Sequence, residues 1–178
     1  MRRHDVRLVH RGDTKAFVSK VVVFRQNSEL TMTTQSDIDE QLIRYKIGNL
    51  VEAVRAMDLA RIGTIYVPKL VSFDFEPPLR TLREEAKLKH WAGLFAAYQP
   101  PLGYEVRDLT LVVDANTAFG YSLNRISGTL KNGKKVSYWV RWTACFQKLL
   151  EGDWGIAHDH VSVPTDIATG KALLDLEP

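Results

Sequence analysis

The sequence predicts an α+β fold, and three observations carry that prediction. Helical periodicity is confined to residues 37–98, strand-like segments fill 104–163, and each joint between those strands carries turn-forming residues. A sheet this long behind three helices has to bury one face beneath them and bend around them, which excludes a doubly wound α/β arrangement. At 178 residues the chain suits one domain with a sizeable core.

Ser36 is a good N-cap residue, and Asp37, Asp39 and Glu40 suit the positive end of a helix dipole. From Ile38 to Met57 apolar residues recur at three- and four-residue spacing, predicting a first helix over about 37–57. Asp58 caps a short second helix through Leu59, Ile62, Ile65 and Tyr66, and Pro68 ends it by removing an amide donor. "KLVSFDF" (69–75) alternates as a strand does and stops at Pro77-Pro78. Thr81 with Glu84 forms a capping-box signature for a third helix, about 17 residues long, which Pro100-Pro101 close.

Four strands follow, over 104–113, 118–130, 134–150 and 154–163, joined by "DANT", "KNGK" and "LEGD". Asn132-Gly133 is the strongest turn signal, suited to a type I′ hairpin. Trp139 and Trp142 have opposite parity on one strand, so in regular strand they cannot both face inwards.

The net charge of +3 is unevenly distributed. Residues 1–31 hold seven of the 24 Lys/Arg and three of the 21 Asp/Glu, leaving 17 basic against 18 acidic residues in the remainder. The domain is therefore near neutral, and no nucleic-acid partner is expected. Residues 1–35 read as an N-terminal extension, poorly ordered, with Met32 resembling a protein start. The domain proper is expected over 36–167, with a C-terminal tail over 168–178. No apolar run approaches the roughly 20 residues of a membrane-spanning helix, so no membrane partner is expected. The lone cysteine, Cys145, forms no intrachain disulfide, which favours a reducing, cytoplasmic setting.

Three segments, "NLVEAVRAMDLARIGTIYVPKLVSFDFEPP", "FGYSLNRISGTLKNG" and "VRWTACFQKLLEGDWGIAHDHVSVP", together resemble the SnoaL-like branch of the nuclear-transport-factor-two-like superfamily, which includes ketosteroid isomerase. The resemblance covers residues 36 to about 165. It implies a cone-shaped barrel: a strongly bent antiparallel sheet wrapped around three N-terminal helices, open at one end as a mostly apolar pocket. It also implies a homodimer paired through the outer sheet face. Activities across the branch include isomerases, cyclases, dehydratases and non-enzymatic adaptors, so the fold leaves the reaction open.

By the same resemblance, Asp74 matches the general-base aspartate of the isomerase. A carboxylate between Phe73 and Phe75 facing an apolar cavity would be desolvated and so a better base. The position of the isomerase's helix tyrosine is Leu50 here, and "WVRWTACF" carries no acid, so that oxyanion hole is not expected. Period-two alternation puts His158 and His160 on one strand face, and Arg141 shares the parity of Thr143 and Cys145 on the preceding strand. If that face is the cavity, imidazole and guanidinium hold a carboxylate or enolate. The same residues also read as ordinary packing and hydrogen-bonding groups. Phe73, Trp91 and Tyr121 are candidate pocket walls. An H-x-H pair offers only two metal ligands with no clear third, so no metal and no cofactor are expected.

These readings lead to a small-molecule enzyme using Asp74 with His158 or His160 for acid–base chemistry, on an apolar substrate bearing a carbonyl or carboxylate. The alternative is a non-catalytic ligand-binding or dimeric interaction module.

Overall fold

A computed structural model describes residues 33–178, of which Ser36–Pro178 form one compact unit. The reading of residues 1–35 as an extension falls almost wholly outside the described residues. Helix α1 (Gln35–Arg55) is followed by α2 (Leu59–Gly63), strands β1 (Tyr66–Phe73) and β2 (Thr81–Leu82), and α3 (Glu84–Ala97). Strands β3 (Tyr98–Val113), β4 (Thr117–Leu130), β5 (Lys135–Lys148) and β6 (Trp154–Ser162) complete a curved six-stranded sheet, ordered β2-β1-β6-β5-β4-β3. A small hairpin, β7 (Thr165–Asp166) and β8 (Lys171–Ala172), follows. The α+β cone predicted from the sequence is the fold observed. One pairing departs from the antiparallel expectation: β1 runs parallel to β6.

Proline behaves differently from the prediction, and sheet geometry explains why. Pro68 lies inside β1, where the register against β6 shifts between Tyr66 and Val71 and no ladder hydrogen bond is lost. Pro100-Pro101 lie within β3, an edge strand, again across a register shift. The capping box does not form either: Thr81 pairs in β2, and its hydroxyl contacts His90 Nε2 at 3.3 Å. Gly133 alone takes positive φ in the β4–β5 turn, and Gly152 does so in the β5–β6 turn. Each follows a type I turn as a left-handed bulge residue, in place of the type I′ turn expected at Asn132-Gly133.

Helix α1 buries Ile43, Ile47, Leu50 and Val54 against the concave sheet face, where Trp142, Phe146, Trp154 and Ile156 meet it. Ser36 does not cap this helix; it sits in its first turn and donates to the Val113 carbonyl at 3.2 Å. Asp39, three residues on, is 1% exposed. Its carboxylate accepts Trp154 Nε1–H at 3.1 Å and Lys148 Nζ at 2.7 Å, which joins α1 to β5 and β6.

One irregularity controls which β6 side chains face inwards. Cys145 pairs with His158 while Phe146 pairs with Ile156, so Ala157 is an extra residue in the ladder. Side-chain parity reverses across it: Trp154 and Ile156 point into the core, and so does Asp159.

Asp39→Ala would leave the Trp154 indole N–H unpaired inside the core and Lys148 without its carboxylate. A loss of about 3 kcal/mol is expected, read as a lower urea midpoint with an unchanged m-value.

Candidate functional site

A cavity of about 70 Å³ lies between α3 and the inner faces of β1, β4, β5 and β6. Its apolar walls come from Leu50 of α1, Trp91 and Leu94 of α3, and Val140 and Trp142 of β5. Polar groups converge on it from five elements: Tyr66 of β1 with Asp74 and Glu76 just beyond it, Lys87 and His90 of α3, Tyr104 of β3, Asn124 of β4 and Asp159 of β6.

The polar groups are organised around one ammonium. Lys87 is 3% exposed, and its Nζ donates to both Asp74 oxygens at 2.9 and 3.0 Å and to Ser72 Oγ at 2.9 Å. It also pairs with Asp159 Oδ2 at 3.2 Å. Ser72 Oγ donates in turn to Asp74 Oδ2 at 3.2 Å, and His90 Nδ1 lies 3.7 Å from that oxygen. Asp159 is 2% exposed, and its Oδ1 accepts no hydrogen bond among the described residues. One cation thus faces two carboxylates, buried Asp159 and partly buried Asp74, and one carboxylate oxygen is left over.

Two phenols face the same space. Trp91 Nε1–H donates to Tyr66 Oη at 3.1 Å, and Asn124 Nδ2 donates to Tyr104 Oη at 2.9 Å, the amide being held by Ser122. Among the described residues neither phenolic O–H has an acceptor of its own, so both protons are available to a ligand oxygen. Burial, and next the negative charge of Asp159, hold the Tyr66 phenol well above its usual range. Burial does the same to Tyr104, with Asp159 adding to it and the Asn124 hydrogen bond opposing it. Both groups therefore stay protonated as donors at neutral pH.

The structure brings together only part of the predicted set. Asp74 and Trp91 line the cavity. His158 and His160 do not: the extra residue at Ala157 turns both to the convex face, and Asp159 takes the inward position between them. His158 Nδ1–H donates to the Val71 carbonyl at 2.8 Å. Phe73 also faces outwards, 39% exposed, its ring edge-on to His158 at 4.9 Å and to His160 at 6.0 Å. Arg141 keeps the expected parity with the histidines, which places it on the convex face with them and removes it as an anchor inside the cavity. Tyr121 is 50% exposed on the same convex face.

The residues missed by sequence reasoning had faint signals. Lys87 stands four before Trp91 and seven before Leu94, on the apolar stripe of α3, where a lysine is out of place. Tyr66, Ser72 and Asp74 share one parity. Nothing in the sequence marks the bulge that turns Asp159 inwards. Among the described residues no group of three or more His, Cys, Asp or Glu is placed to hold a metal ion.

A curved sheet closed on one side by helices, with a partly polar cavity between, defines the class of α+β cones. The sequence profile of the SnoaL-like domain family matches residues 43–166, and the chain belongs to that family. Among solved structures it is similar to an NTF2-like protein of unknown function from Pseudomonas putida KT2440, with 29% identity and TM-score 0.73, covering 80% of this chain and 99% of that one. It is also similar to a candidate dehydratase of the NTF2-like family from Streptomyces avermitilis, with 17% identity and TM-score 0.63, covering 72% and 97%. A candidate scytalone dehydratase from Novosphingobium aromaticivorans shares the fold at 9% identity and TM-score 0.63, covering 70% and 83%. No curated protein matches the chain in sequence.

Lys87→Met would strand buried Asp159 and partly buried Asp74, and a loss of about 3–5 kcal/mol is expected in denaturant unfolding. Adding Asp159→Asn should recover part of it. In a spectrophotometric titration of the six tyrosines, Tyr66, Tyr104 and Tyr138 should not ionise until the protein unfolds. Their folded values lie above the ordinary 10.0, so their contribution to stability is intact below that pH. It is lost as pH rises above it, because only the unfolded state releases those protons.

Proposed function

We propose that the cavity binds a small apolar carbonyl compound and moves a proton at the carbon beside the carbonyl. The supporting observation is the meeting of two protonated phenols with free O–H groups, Tyr66 and Tyr104, and a carboxylate pair in one mostly apolar cavity. The carbonyl oxygen takes the two phenolic hydrogen bonds, which strengthen as charge builds up on it in an enolate-like transition state. Asp74 is the proton acceptor, being the more accessible carboxylate, with a side chain 13% exposed against 2% for Asp159. His90, beside Asp74 and in contact with Thr81, passes the proton onward. Isomerisation and dehydration both begin with this step, and the candidate dehydratases among the structural neighbours support that class. Arg141 lies outside the cavity, so the carboxylate-bearing substrate considered from the sequence has lost its anchor. The lone Cys145 supports a cytoplasmic setting.

One observation favours binding without chemistry: Lys87 donates to both oxygens of Asp74 and so occupies lone pairs that a proton acceptor would use. Proton exchange separates the two readings. In D2O, wild-type protein should catalyse α-hydrogen exchange of 2-tetralone. Asp74→Asn should lower that rate at least a hundredfold, and Tyr104→Phe about tenfold. Chemical-shift perturbation by the ketone with no exchange above background would establish the binding reading instead.

The convex face supports a homodimer. Val112, Phe119 and Tyr121 expose between 45 and 50% of their surface on adjacent strands there. Tyr121→Lys together with Phe119→Asp should convert a dimer into a monomer in light scattering. Wild-type protein that is already monomeric at micromolar concentration would remove this part of the reading.

A further inference from the structure

We infer that the otherwise apolar carbonyl ligand carries a protonated amine, held by Asp159, within reach of the oxygen that the phenols bind. This deepens the reading above and rests on the same cavity being the ligand site.

The first ground is charge. Among the cavity-lining residues Asp74, Glu76 and Asp159 are acids, and Lys87 is the only lysine or arginine. His90, the remaining titratable base there, is neutral unless protonated. Within the buried cluster alone, one ammonium faces two carboxylates, an excess of one negative charge. Charge buried in a low-dielectric interior without a counterion is unfavourable, and a cationic ligand group supplies the counterion.

The second ground is the unpaired acceptor. Lys87 is fully committed, donating to Asp74 and Ser72 and pairing with Asp159 Oδ2. Asp159 Oδ1 is left without a donor inside a residue 2% exposed. An ammonium supplies both the hydrogen and the charge, and a charge-assisted bond is roughly twice as strong as a neutral one.

The third ground is the wall. Besides the two phenols, Phe75, Trp91 and Trp142 line the cavity, and an aromatic ring attracts a cation that meets its face. A carboxylate ligand would meet three acids there.

The test is an equilibrium binding comparison on the full chain, read from the fluorescence of Trp91 and Trp142 and from protein-observed NMR. The probes share one ring and differ in charge: benzylamine, benzyl alcohol and benzoate. Benzylamine should bind at least tenfold more tightly than either of the others, and Asp159→Asn should remove that advantage. Lys87 keeps Asp74 in this variant, so the fold should persist; if it does not, the three probes on wild-type protein still decide. Benzyl alcohol binding as tightly as benzylamine overturns the inference, as does preferential binding of benzoate or an Asp159→Asn variant that retains the amine preference. Turnover plays no part in this experiment. A failure of 2-tetralone exchange therefore counts against proton transfer alone, and a failure of the amine preference counts against this inference alone.

Discussion

The ammonium of Lys87 is the contact on which the arrangement of the cavity depends. It belongs to α3, Asp74 and Ser72 belong to β1 and its end, and Asp159 belongs to β6, so one group fixes a helix against two strands that pair in parallel. Taking three charges out of water costs several kcal/mol per ion, which mutual attraction only partly offsets. The cluster is therefore poorly explained as a stabilising device. Its consequence is geometric: it holds a carboxylate pair, a serine and a histidine at one end of an apolar space, with a residual negative charge.

That arrangement exists because β6 is irregular. Had the strand continued its alternation past Ile156, His158 and His160 would face the cavity, and Asp159 would lie outside. The extra residue at Ala157 exchanges the two sets. The interior gains an acid that has to be paired, and α3 supplies Lys87 opposite it. The histidines meet Phe73 edge-on instead, on the convex face. The two faces of the sheet thus have different chemistry. The inner face presents hydroxyls and carboxylates, and the outer face presents aromatic and basic residues suited to contact with another surface.

The convex face is itself divided. Trp139 is 8% exposed, its indole N–H donating to Glu177 at 2.9 Å and its ring lying under the guanidinium groups of Arg107 and Arg125. The C-terminal tail therefore covers one end of this face. Phe119 and Tyr121 stay open at the other, which confines any partner to the uncovered part. Covering a tryptophan with the chain's own tail removes apolar surface from water without a second molecule.

The sequence by itself determined the scaffold. Apolar spacing located α1, alternation located the strands from Ala118 onwards, and the glycines of "KNGK" and "LEGD" located two hairpins. These are local signals, carried by residues within a few positions of one another. Asp74 and Trp91 were also legible, from family resemblance and helical spacing. The tertiary structure alone decided which other side chains share the cavity with them. Strand parity can be counted from a sequence only while the ladder stays regular, and a single bulge, set by pairing with a distant strand, reverses every residue beyond it. Asp159 entered the interior for that reason and His158 and His160 were left outside, whereas Arg141 lies outside by the regular alternation of β5.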